Sequence, residues 1–365
     1  MRQMLRQPRL QRLSSNLKRK QMKRVRFGVV GTNFITDWVI AGAREDERFE
    51  LSAVCSRTQA RADEFAAKHN IPHTFTSLEE MVASDKVDAV YIATPNSMHS
   101  QQSILCMQHG KHVLCEKPLA ANAREAREMV AAAQKYGVTL MEAMKSTLSP
   151  NFRAVIDNIH RIGTPRRYFA SFCQYSSRYD KFKEGIVLNA FRPELSNGAL
   201  MDIGTYTIYP LVVLFGKPDK ISAQGIMLSS GVDGQGAVNM QYDGMNATVL
   251  YSKIANSQLP TEIEGEEGNI LIDRIQTPVD VRFYPRQAPA SGHERRTEGE
   301  TIGNIDSHNE YYYEIKEFID LVEQGRTGSD INSHQSSITT LEIMDEIRRQ
   351  VGVHYPSDDE SAAVL

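Results

Sequence analysis

Apolar residues come in short, regularly spaced runs through the first third of the chain. Val25-Arg26-Phe27-Gly28-Val29-Val30 is apolar and β-branched, and the residues after Gly31 take up helical spacing. The alternation continues with 50–55 and then 59–69, 88–93 and then 97–109, 112–115 and then 123–136, and a last run at 138–141. In each pair a strand-like run precedes a helical one. That order predicts a doubly wound parallel sheet over 23–143, with ligands bound at the carboxyl ends of its strands. Three of those ends are polar: Gly31-Thr32-Asn33, Thr94-Pro95-Asn96 and Glu116-Lys117-Pro118. They are expected to meet in one crevice.

Beyond Pro150 the rhythm changes. A helical stretch at 151–162 leads to a strand at 167–174, a polar aromatic stretch at 175–189 and a helix at 198–215. Alternating segments follow at 237–242, 247–254, 261–264, 269–272 and 279–283, broken by glycines, and two helical patterns close the fold at 309–323 and 333–349. This predicts a second, α+β domain over 144–350 built on a mostly antiparallel open sheet, with 351–365 as a C-terminal tail.

Composition narrows the class. At 365 residues, 41% hydrophobic and 24% charged, the chain can bury two cores. No run of ~18 apolar residues suggests a membrane span. Cys55, Cys106, Cys115 and Cys173 have neither disulfide-framework nor metal-ligand spacing, so no metal is expected and a reducing cytoplasm is the natural setting. Residues 1–22 stand apart as a basic extension, with seven Lys and Arg and no acid, read as a tail ahead of an ordinary start at Met22. Without those seven charges the formal net charge moves from −3 to −10, so nucleic acid is not an expected partner of the remainder.

The first strand and the following helix make a strand–turn–helix unit, at Gly28, Gly31, Thr32, Asn33, Phe34 and Ile35, that suits a dinucleotide pyrophosphate: helix N–H groups and the helix dipole both face the anion. The common glycine fingerprint has small residues where this chain has Asn33 and Thr36. A displaced cofactor, a phosphate contact from Asn33 or a degenerate turn all remain open. At the end of the second strand, Val54-Cys55-Ser56-Arg57 lacks the acid that selects NAD; Ser56 and Arg57 offer a hydroxyl and a guanidinium fork to a 2′-phosphate. NADP(H) is favoured and NAD(H) left open.

Taken together, Gly28-x-x-Gly31, Ala93-Thr94-Pro95-Asn96-x-x-His99, Glu116-Lys117-Pro118 and Gly198-Ala199-Leu200-Met201-Asp202-Ile203-Gly204-Thr205-Tyr206 resemble the Gfo/Idh/MocA oxidoreductases over roughly 24–350. The nearest type is that of dihydrodiol dehydrogenase and glucose-fructose oxidoreductase, in a bacterial branch that brings no substrate with it. The resemblance implies a Rossmann fold, cofactor contacts from Thr94, Pro95, Asn96, His99 and Glu116, a cis Lys117-Pro118 bond, and homodimers formed through the open sheet. Alone, a lysine before proline reads as a loop charge; the resemblance makes Lys117 the acid–base residue, a role lysine fills near neutral pH only in a perturbed setting. A spacing of four puts Asp202 and Tyr206 on one helical face. The resemblance makes Tyr206 a proton donor to the reacting oxygen and Asp202 an orienting group. Tyr175, Arg178, Tyr179 and Asn189 precede that helix and are candidate substrate contacts.

The expected function is an NAD(P)-dependent oxidoreductase that moves hydride between nicotinamide and a secondary alcohol or carbonyl of a sugar, polyol or related small molecule. Two alternatives stay open at this point: a nucleotide-binding regulator without turnover, and a redox-neutral hydrolase or lyase that uses bound NAD(P).

Overall fold

Six strands form the first sheet of the computed structural model: β1 (Val25–Val30), β2 (Phe49–Cys55), β3 (His73–Phe75), β4 (Ala89–Ile92), β5 (His112–Glu116) and β6 (Leu140–Ala143). The structure describes residues 24–286 and 299–359; the basic segment 1–22 and residues 360–365 of the expected tail lie outside them. The sheet order is β3-β2-β1-β4-β5-β6 with every pair parallel, so the chain reverses direction across the sheet between β1 and β4. A crevice opens above such a switch point, at the carboxyl ends of the strands. β3 is three residues long and the helix after it, Leu78–Ala83, has six, too short for either to show a period in the sequence.

The second sheet has eight strands: β7 (Pro165–Cys173), β8 (Lys220–Met227), β9 (Asp233–Tyr242), β10 (Met245–Ser252), β11 (Thr261–Gly265), β12 (Gly268–Ile272), β13 (Val281–Pro285) and β14 (Glu300–Gly303). Their order is β14-β13-β12-β11-β7-β10-β9-β8, and all pairs are antiparallel except β7 with β10. The sequence reading missed β8, Lys220–Met227, which is exposed along most of its length, as an edge strand is.

Two C-terminal segments depart from the sequence reading. The helix Tyr312–Gln324, expected in the second domain, lays Ile315, Phe318 and Ile319 on the core of the first sheet, with the Phe318 ring tilted against Phe27 at 5.7 Å between centres. Residues 353–359, expected within a tail, are packed: Val353 and Tyr355 are buried, Tyr355 Oη donates to Asn197 O at 2.9 Å, and Asn122 Nδ2 donates to Ser357 O. The stretch Pro193–Phe215 is long and apolar enough to cross a membrane by composition, a feature the sequence reading passed over. Some 72% of its most apolar window is buried, and its apolar residues belong to the main core, which is the environment of a core helix.

Candidate active site

The crevice begins at Gly31, whose φ of +101° puts it in the left-handed region. A Cβ there would lie 2.4 Å from Ala93 O at the end of β4, so only glycine lets the two strand ends approach. Gly28 is different. It lies within β1, and a Cβ on it would press on Met81 and Val87, so it is a packing glycine inside the sheet and not part of the turn. Asn33 is extended, at φ −98°, and caps the helix Phe34–Ala43: Oδ1 accepts from Ile35 N at 2.8 Å and Nδ2 donates to Ala93 O at 2.9 Å. Its side chain therefore ties the turn to β4 and closes the helix end.

The other end of the crevice is assembled from three distant segments. Lys117 follows β5 directly, with a cis bond to Pro118. Its ammonium donates to Asp202 O at 2.7 Å and to Asp202 Oδ1 at 3.2 Å, and lies 4.8 Å from the centre of the Tyr206 ring. The helix that carries Asp202 and Tyr206 starts at Gly198 because Asp233, buried at the head of β9, accepts from Ala199 N and Leu200 N. Gly198 is required there: at φ +149°, a Cβ would sit 2.2 Å from Asp233 Oδ1. The first turn, Leu200–Gly204, is π-helical, and Thr205–Phe215 continues as α-helix. That wide turn leaves Asp202 and Tyr206 facing Lys117 together, as their spacing predicts.

Sequence reasoning missed the group behind this pair. Lys253, at the end of β10, is 2% exposed, and its ammonium holds Asp202 Oδ2. One carboxylate is thus gripped by two lysines. Desolvation opposes its ionisation, but the Lys253 and Lys117 charges outweigh this and hold the Asp202 carboxyl well below the usual carboxylate range. The Tyr206 phenol moves the other way: burial, then the nearby Glu116 and Asp202 carboxylates, raise it well above its ordinary value. It remains a hydrogen-bond donor throughout the neutral range. Lys253 lies in Tyr251-Ser252-Lys253 at the end of an apolar strand, where a fully buried lysine leaves no mark in the sequence pattern.

Acidic groups lie behind Lys117. Glu116 accepts from Tyr91 Oη and from Lys117 N; burial raises its carboxyl, with Lys117 and Tyr91 acting against that. Glu314, 1% exposed, has no hydrogen-bond partner for either carboxyl oxygen among the described residues, and burial followed by Glu116 pushes it well up. On the same wall Lys145 bonds Glu310 and Thr277 and lies 5.0 Å from the Tyr311 ring centre.

A cleft of about 330 Å³ joins these parts. Of the expected residues it is lined by Asn33, Phe34, Ile35, Thr94, Pro95, Asn96, His99, Glu116, Lys117, Asp202, Tyr206, Arg178 and Asn189. It also takes in Lys145, Asn197 and Tyr311, which the sequence reading missed. His99 is fully buried, its ring nitrogens 3.0 Å from Pro118 O and Thr94 O, so it mainly braces two loops. Tyr175 and Tyr179 lie away from the cleft. Tyr175 Oη donates to Asp180, and Tyr179 packs against Phe182 and Phe191. Thr32, Ser56 and Arg57 also lie outside the cleft wall. Arg57 is exposed at the end of β2, and Arg61, unforeseen from sequence, reaches Thr32 O at 2.9 Å beside it.

The model of an oxidoreductase family with an NAD-binding Rossmann fold, Gfo/Idh/MocA, matches residues 25–144, and that of the Gfo/Idh/MocA C-terminal domain matches residues 152–271. A scyllo-inositol 2-dehydrogenase (NADP(+)) of Bacillus subtilis (strain 168) is 52% identical over 334 residues, spanning 92% of this chain and 99% of that protein. A trans-1,2-dihydrobenzene-1,2-diol dehydrogenase of Mus musculus is 30% identical over 344 residues, with the same coverage of each. Among solved structures, a 3-ketoreductase from Actinomadura kijaniata in complex with NADP and TDP-benzene superposes with a TM-score of 0.77 at 23% identity, covering 90% of this chain and 98% of that one, a likeness of fold.

Proposed function

Because the chain belongs to the Gfo/Idh/MocA oxidoreductase family, we propose that it is an NADP(H)-dependent oxidoreductase of a secondary alcohol in a cyclic polyol, with scyllo-inositol and its 2-keto form as the first substrate pair to test. The observation that carries this reading is the convergence of Lys117, Asp202 and Tyr206 in a cleft that also opens onto a helix N-terminus. The nearly full-length relative named for scyllo-inositol and NADP(+) supports the substrate and cofactor.

The residues present fit a dinucleotide. Gly31 lets the backbone of the turn lie flat against Ala93, and Asn33 folds its side chain into the cap instead of the anion's path. Ser56 and the exposed Arg57, at the end of β2, offer a hydroxyl and a guanidinium to a 2′-phosphate. Bound nicotinamide supplies the hydride acceptor or donor. In the oxidising direction Tyr206 donates a hydrogen bond to the substrate oxygen, and Lys117, having first released a proton to solvent, takes the hydroxyl proton as the free amine while hydride leaves the same carbon. In the reducing direction Lys117 returns that proton to the carbonyl oxygen. Asp202, kept ionised, anchors the Lys117 side chain through Oδ1 and its own carbonyl. Cytoplasmic residence belongs to the same proposal, supported by four free cysteines, as does a homodimer through the open face of the second sheet.

The test is an assay of the full chain. NADPH absorbance is followed with 2-keto-inositol, and NADP(+) reduction with scyllo-inositol. Turnover in either direction supports the proposal. Tight NADPH binding with no turnover on any polyol or ketone would overturn it in favour of a regulatory role.

A further inference from the structure

We infer that Arg178 is a cofactor residue: its guanidinium completes the anion site at the start of the helix Phe34–Ala43 and grips the pyrophosphate from across the crevice. This rests on the cleft being a dinucleotide site, and it moves Arg178 from the substrate role that its place in the sequence suggests.

Position carries the inference first. Arg178 lines the same cleft as Asn33, Phe34 and Ile35, and its guanidinium carbon lies 5.5 Å from the centre of the Phe34 ring. Phe34 is the first residue of the helix, so the cation stands at the end toward which the helix N–H groups and dipole point. The reacting groups are elsewhere. Lys117 follows β5, which is separated from β1 by β4, and two strand spacings put it about 10 Å along the crevice from the glycine turn.

The second, independent observation is the absence of a partner. Among the described residues, no carboxylate or hydrogen-bond acceptor engages the Arg178 guanidinium, although the residue as a whole is partly buried. Arg48, also partly buried, engages Asp46, Asp320 and Glu323, and Arg348 engages Asp345 and Asp358. A partly desolvated cation without an anion is costly in a folded protein. A pyrophosphate supplies that anion, with the planar fork that guanidinium groups match best.

The backbone that presents Arg178 is well held. Ser176 N donates to Lys253 O, Arg178 N donates to Ser176 Oγ, and Tyr179 packs onto Phe182 and Phe191. The segment therefore links the cofactor's phosphates to the strand that ends in Lys253, the residue gripping Asp202.

The experiment uses full-length Arg178→Ala and Arg178→Lys. Dissociation constants for NADPH, 2′-phospho-ADP-ribose and 2′-AMP are measured by calorimetry and by emission of Trp38, which lies edge-on to Phe34 at 4.9 Å. Arg178→Ala is expected to weaken NADPH and 2′-phospho-ADP-ribose by the same factor, roughly 10- to 100-fold, to leave 2′-AMP unchanged, and to hold or raise the melting temperature of the ligand-free protein; Arg178→Lys recovers part of the binding loss. An unchanged NADPH constant with a raised KM for the polyol overturns the inference and returns Arg178 to the substrate. An equal loss for 2′-AMP also overturns it, because the effect is then long-range charge. If the wild-type chain binds no nicotinamide nucleotide, the dinucleotide reading itself fails and the inference falls with it.

Discussion

The two ends of the cleft are built on different principles. Apart from the side chain of Arg178, the end at the glycine turn is local: one glycine at φ +101°, one Asn cap and the start of one helix, all within residues 31–35. The end proposed to react is side chains: Lys117 from the parallel sheet, Asp202 and Tyr206 from a helix packed under the second sheet, and Lys253 from a strand of that sheet. Local chain geometry suffices to place N–H groups around an anion. Moving a proton at a chosen atom needs charges brought from far apart in sequence and fixed to within a fraction of an ångström.

Substitution of Lys117 should separate the ends most sharply. Lys117→Met is expected to lower kcat by about 10³-fold, within the range of positioned acid–base groups, while the NADPH dissociation constant changes less than about threefold. Comparable losses in both would mean that the ends are not independent. Lys253→Met comes next. It leaves the Asp202 carboxylate with Lys117 alone, and a urea titration should show a loss of about 3 kcal/mol, the low end for a broken buried pair because one cation remains. The double variant Lys253→Met, Asp202→Asn should recover part of that loss; strict additivity would deny the coupling.

A third difference concerns pH. Burial pushes the Glu142 carboxyl from its ordinary 4.5 up to about 7; Glu142 accepts from Leu119 N just past the Lys117-Pro118 turn. A raised carboxyl value means the folded state holds its proton longer than the unfolded one. This contribution is therefore flat below 4.5, costs stability as pH rises from 4.5 to about 7, and is constant above. Glu142→Gln should remove that fall, so that the variant gains on wild type by up to about 3 kcal/mol across the window. A constant difference at every pH would show that Glu142 titrates normally. The smallest effect is expected at Tyr175, whose hydroxyl meets Asp180 on the surface. Tyr175→Phe should shift stability by less than about 0.5 kcal/mol and leave the polyol KM unchanged; a clear rise in KM would bring the aromatic stretch back into the substrate site.

The sheet of the first half was legible because each strand–helix unit is a local period, and the three polar strand ends do share one cleft. Where periodicity was short or absent, reading failed: β3, the helix after it, and the exposed edge strand β8. Gly28 and Gly31 look alike in a motif, yet one packs inside a strand and the other makes the turn, a distinction that lies in φ and in what faces the missing Cβ. Tyr175 and Tyr179 were plausible contacts by type and position, but tyrosines also serve packing, and here they join an aromatic cluster outside the cleft.

The sequence by itself determined the parallel architecture, the glycine turn, the place of Lys117 at a strand end and the shared face of Asp202 and Tyr206, because each is written within a few residues of chain. Only the tertiary structure decided that Lys253 backs Asp202, that Asp233 starts its helix, that Tyr312–Gln324 returns to cover the first sheet and that Arg178 faces the start of the helix Phe34–Ala43. Those contacts join residues tens to hundreds of positions apart. Their energy depends on burial and on the charge opposite, which no local pattern records.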